Sequence, residues 1–171
     1  MEKHFGFSLP KDMHAEFGRL IQDLSDRTGR EVTPRNVKAA FEEEYLLTKT
    51  PYAFIGVSGE CPLSPRPDSR SSAVDLKVVV AFDGREREVT GAGNGPIDAF
   101  SNAIRIEGGA DFVLLSYYEH ALTTGSDSRA VAYVKIEGPL KKRVWGVGVD
   151  TNINIASFKA IVSALNRMAK A

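Results

Sequence analysis

The segment Gly91-Ala92-Gly93-Asn94-Gly95-Pro96 is where bare backbone offers chemistry. Glycines leave N–H groups uncovered, and a proline opening a helical pattern marks a strand-to-helix junction, where the helix dipole favours an anion. The segment is not a dinucleotide fingerprint, because Pro96 stands where G-x-G-x-x-G needs its last glycine, and no Walker lysine follows. A tight turn without a ligand is the competing reading. Tyr117-Tyr118-Glu119-His120 invites an acid–base interpretation. Strand alternation, however, puts Tyr117 and Glu119 on one face and Tyr118 and His120 on the other, so packing is expected there rather than catalysis.

The remaining candidates are weaker. His4 and His14 lack a second ligand at i+4 and are expected on the surface. Glu42, Glu43 and Glu44 diverge by about 100° per residue around a helix, which predicts a solvated face rather than a metal site. Cys61 is the one cysteine, so it forms no internal disulfide and no thiolate cluster. Trp145 is read as packing, and the chain contains no Gly-x-Ser-x-Gly elbow.

The elements that must position these residues follow from periodicity. Met13, Phe17, Leu20, Ile21 and Leu24 form one apolar stripe within 9–28, between Pro10 and Gly29. Thr33-Pro34 opens a second helix with Val37, Phe41 and Tyr45 on one face. Residues 58–73, rich in proline and serine, read as a flexible loop, and Val74–Thr90 as a hairpin turning at Asp83-Gly84. An offset of 58 superposes Asn94 on Asn152, Ile97 on Ile155, Phe100 on Phe158 and Ile104 on Val162, with alternating glycines ahead of each junction. The chain therefore reads as α+β: a helical subdomain over 1–50, then a duplicated βββα domain over 51–171, its antiparallel sheet carrying the helices on one face.

Composition sets the outer limits. The 171 residues are 43% hydrophobic and 26% charged, and 22 basic residues balance 22 acidic ones. A net charge of zero gives no general attraction to nucleic acid or to an anionic membrane. No apolar run approaches the roughly 20 residues of a membrane span, and the opening residues lack the apolar core of a signal peptide. A cytoplasmic chain is expected.

Gly93-Asn94-Gly95-Pro96-Ile97-Asp98-Ala99, Tyr117-Tyr118-Glu119-His120-Ala121, Trp145-Gly146-Val147-Gly148 and Ala156-Ser157 with Ala164-Leu165-Asn166-Arg167 closely resemble, in order and spacing, the carboxy-terminal allosteric domain of the 2-isopropylmalate synthase family. The stretch from Leu9-Pro10 to Glu43-Glu44-Tyr45-Leu46 resembles the subdomain that joins that domain to the catalytic barrel. The Gly-Asn-Gly-Pro block also occurs in citramalate synthases, whose effector is isoleucine. The resemblance implies condensation of acetyl-CoA with 3-methyl-2-oxobutanoate at a divalent metal in a barrel that would precede Met1. This chain would then be a regulatory fragment, inactive alone and without a cofactor of its own, a homodimer binding L-leucine between its regulatory domains. Carried over by position, the leucine site falls on Gly93, Asn94, Gly95, Ile97, Asp98, Leu114, Tyr117, Ala121 and Ile153. Backbone donors for a carboxylate, an acceptor for an ammonium group and an apolar pocket for the isobutyl group are what such a ligand needs. A dimerisation scaffold without an effector is the alternative.

Overall fold

The computed structural model describes residues 1–29, 31–58, 74–122, 125 and 128–170. Apart from Ser58, the expected loop over 58–73, Cys61 included, lies outside them. The amino-terminal helices are α1 (Glu2–Phe5), α2 (His14–Thr28) and α3 (Pro34–Phe41). Pro10 is extended and leads into a single 3-10 turn, Lys11–Met13, so the helix expected from residue 9 becomes α-helical only at His14. Gly29, at φ 60°, ends it by sending its N–H to the Ser25 carbonyl. Thr33 and Asn36 close a reciprocal capping box at the start of α3.

Beyond Phe41 the helix widens into a π turn, Glu42–Leu46. Glu43 stays exposed as expected, and the correction to a solvated acidic face falls on Glu44. Glu44 meets the Arg167 Nε at 2.6 Å, while the Arg167 Nη1 reaches Glu16 and the Trp145 carbonyl, each at 2.5 Å. The guanidinium also lies 4.2 Å from the Tyr45 ring, whose hydroxyl donates to Glu16. Phe7, Met13, Phe41 and Tyr45 pack with Val131, Tyr133, Trp145 and Val147 in a core of their own. Among the described residues no helix is long and apolar enough to cross a membrane.

Two βββα units follow. The first is β1 (Tyr52–Val57), β2 (Val74–Phe82), β3 (Arg85–Gly93) and α4 (Pro96–Gly108); the second is β4 (Val113–Ala121), β5 (Ala130–Glu137), β6 (Arg143–Asp150) and α5 (Ile153–Lys170). Each unit makes its own three-stranded antiparallel sheet in sequence order. The β2–β3 hairpin turns at Asp83 and Gly84, both at positive φ, as a two-residue turn matched to strand twist requires. Register breaks once on each first strand, between Phe54 and Gly56 and between Leu114 and Ser116, so even the bulge is duplicated. Both helices enter one shared core, where Phe100 and Phe158 stack at 4.5 Å.

Contact between main chains sets the repeat at 57 residues, one fewer than the side-chain identities suggest. A Cβ on Gly91 would lie 2.2 Å from the Ala99 carbonyl oxygen and 2.6 Å from the Ala103 nitrogen. On Gly148 it would lie 2.0 Å from the Ala156 oxygen and 2.5 Å from the Ala160 nitrogen. Each helix therefore rests its backbone directly on the third strand of its unit.

Polar side chains of α5 also satisfy strand edges. The Asn166 amide accepts from the Tyr52 N–H at 2.8 Å and donates to the Tyr52 and Thr48 carbonyls. Ser163 Oγ accepts from the Val147 N–H and donates to the Tyr45 carbonyl. Asn166 and Ser163 are buried and thus fully engaged.

Gly148→Ala is expected to lose about 3 kcal/mol or more of stability, because its new methyl meets helix backbone that cannot move aside. Gly56→Ala, whose Cβ meets nothing within 4 Å, should change stability by less than about 1 kcal/mol. Urea unfolding of the two variants checks the contrast.

Candidate functional site

The β3–α4 junction opens onto a cavity of about 410 Å³ lined by Asn94, Gly95, Pro96, Ile97, Asp98, Ser101, Arg105, Leu114 and Asn154. Its floor is one face of α4, since Ile97, Ser101 and Arg105 recur at i, i+4 and i+8. Leu114 of β4 and Asn154 of α5 come from the second unit, so the two units build the cavity together. Gly95 is the residue before the first helical turn and is extended, at φ −166°, a conformation open to any residue. A Cβ there meets nothing within 4 Å. The special requirement for glycine falls instead on Gly93, where a Cβ would lie 2.5 Å from the Ala99 nitrogen.

Five of the nine expected positions, Asn94, Gly95, Ile97, Asp98 and Leu114, line this cavity. Gly93 lies behind it, against the helix. Tyr117 and Ala121 lie further along β4, and Ile153 opens α5; none of the three lines it. Asp98 accepts the Asn94 N–H at 2.9 Å, closing the junction while its carboxylate stays exposed. Arg105 sends Nε to the Phe112 carbonyl at 3.0 Å and Nη1 to Asn102 at 2.8 Å. These bonds hold its guanidinium at the cavity wall. Sequence reasoning missed Ser101 and Arg105, although their helical spacing from Ile97 was a usable signal; Asn154 arrives through tertiary packing and left none.

The faces of β4 separate as alternation requires. The Tyr117 hydroxyl bonds the buried Ser157 of α5 at 2.9 Å and also Glu119. His120 turns the other way, stacking on Tyr133 and accepting the Ser8 N–H at 3.2 Å. Glu119 and His120 thus bond on opposite faces of β4. His14 bonds the Leu9 carbonyl from an exposed position, and Trp145 is buried packing. Among the described residues no three His, Cys, Asp or Glu side chains are grouped to hold a metal.

Fold and site together define a duplicated βββα module with a cavity at its first strand-to-helix junction. A family model described as the LeuA allosteric (dimerisation) domain matches residues 31–169, and the chain belongs to that family. It is similar to the 2-isopropylmalate synthase of Clostridium acetobutylicum, 43% identical over 167 residues, which are 98% of this chain and 29% of that protein. The enzymes of that name from Rhodospirillum rubrum, at 35% over 168 residues, and Mycobacterium ulcerans, at 37% over 173 residues, cover 98% and 99% of this chain and 29% of their own length. The chain therefore spans under a third of the curated relatives it matches.

Burial, and secondarily the bond to Glu119, push the Tyr117 phenol up to about 12. The folded state thus favours the neutral phenol: the resulting stability is complete below the unfolded value near 10 and is lost as pH rises from there to about 12. Absorbance titration of the parent against Tyr117→Phe should show the missing phenol ionising near 12. A missing step near 10 would contradict the burial.

Proposed function

We propose that this chain is the regulatory region of a 2-isopropylmalate synthase-like enzyme and binds L-leucine in the cavity at the β3–α4 junction. The observation that carries this reading is the pairing of charges around that cavity. Arg105 offers a cation to a carboxylate, Asp98 an acceptor to an ammonium group, and Ile97, Pro96 and Leu114 an apolar wall to an isobutyl group. Family membership and the name of the similar enzymes support the same assignment. The parent enzyme condenses acetyl-CoA with 3-methyl-2-oxobutanoate in a catalytic region outside this chain, and leucine binding here lowers that activity. Two copies of the chain associate, and Val113, Leu115 and Tyr118, exposed on β4, are apolar surface for a partner.

Calorimetric titration with L-leucine, L-isoleucine and L-valine tests the effector. Leucine is expected to bind most tightly; a preference for isoleucine would indicate a citramalate synthase-type module, and no binding would leave a dimerisation scaffold. Gly95→Ala should keep the parent's melting temperature, since its methyl enters open space, yet weaken leucine binding about tenfold, or about 1.4 kcal/mol. Parent-like affinity in that variant would remove the glycine loop from the site. Light scattering should give twice the 18.6 kDa chain mass, and a monomer with and without leucine would refute the dimer.

A further inference from the structure

A second cavity, of about 550 Å³, lies between β1 and β6 over α5. The duplication relates its bounding elements, although residues 151–154, the equivalents of Asn94–Ile97, lie outside its lining. The first cavity is bounded by α4 and by β4, the first strand of the other unit; the second is bounded by α5 and by β1, again the first strand of the other unit. At the 57-residue offset, Asp98 and Arg105 of the first cavity correspond to Ile155 and Val162 of the second.

The charges have moved, but a pair of opposite sign remains. Asp150 Oδ2 and Lys159 Nζ face each other at 2.6 Å on the cavity wall. Phe54, Val149, Ile155 and Val162 supply the apolar surface. Main chain contributes as well. On β6 the outward Trp145 C=O and N–H are taken by Arg167 and Glu16 and the Val147 N–H by Ser163, and alternation turns the Val149 N–H and C=O to the same side, where the cavity lies.

We propose that this cavity between the two sheets is a second binding site for an apolar α-amino acid, distinct from the one at the β3–α4 junction. Lys159 receives the ligand carboxylate together with the Val149 N–H, Asp150 receives the ammonium group, and the side chain enters the apolar floor. The zwitterion thus inserts between two charges that otherwise satisfy each other. The assignment rests on the reading of the first cavity as an amino-acid site, because it extends that reading through the duplication.

The test uses the whole chain with labelled isoleucine methyl groups, titrated with L-leucine and L-phenylalanine and followed by NMR. Ile55 and Ile155 line the second cavity, and Ile97 lines the first. With either amino acid, Ile55 and Ile155 should shift along a saturation curve separate from that of Ile97. Lys159→Met should weaken the Ile155 response at least tenfold while Ile97 still responds to leucine. Asp150→Asn, which removes the anion offered to the ammonium group, should weaken the Ile155 response at least tenfold and spare Ile97. Ile97 moving alone, up to about 10 mM of either ligand, overturns the second site, as does an Ile155 response that survives both substitutions. Ile155 moving while Ile97 stays still would overturn the first site and leave the second standing.

Discussion

The structure depends on a contact with no side chain in it: the backbones of α4 and α5 lie against Gly91 and Gly148 of the third strands. At that distance a methyl group is already too large, so each helix has one axial position on its sheet. That position fixes where the helix begins and how the two preceding residues must turn. It also brings both helices close enough for Phe100 and Phe158 to stack. The cavities lie where the helices, so placed, leave space against the first strand of the opposite unit.

The duplication is not symmetrical in its outer surfaces. The second sheet turns Val131, Tyr133, Trp145 and Val147 toward the amino-terminal helices. The first sheet carries an ion-paired surface, with Lys77 2.6 Å from Glu88 and Ser58 bonded to the same carboxylate. Charge on one sheet and aromatic packing on the other direct the helical segment to a single partner. Arg167 completes the attachment, since its guanidinium joins α2, the π turn, β6 and α5 at one point. Such a partly buried cluster is costly to assemble and costly to break, which makes it selective for one arrangement rather than a simple source of stability.

Much of this was legible in the chain because local physics sets it. The Thr33 cap, the turn at Asp83-Gly84, the apolar faces of the helices and the two βββα units are each written in spacing and residue type. The repeat was visible but one residue out of register, since matching side chains were compared where main-chain contact sets the alignment. Glu44 was read as wet because nothing near it in sequence announces Arg167, 123 positions away. The same limit applies to the candidate site. Asn94, Gly95, Ile97 and Asp98 are contiguous or nearly so and were legible together, whereas Asn154 reaches the cavity only because α5 folds back beside α4. Gly93 was legible as a required glycine, and helix packing alone is enough to require it.

Asn166 and Ser163 carry one further consequence. Asn166 bonds the edge of β1 and Ser163 the edge of β6, so the two sheets are tied there through one turn of α5 rather than strand to strand. A ladder of main-chain bonds can shift only by whole register steps, because a one-residue slip turns every side chain to the wrong face. A bridge made of side chains obeys no such rule. It fixes each sheet edge to the helix without imposing a register between β1 and β6, so either strand can change in sequence without realigning the other.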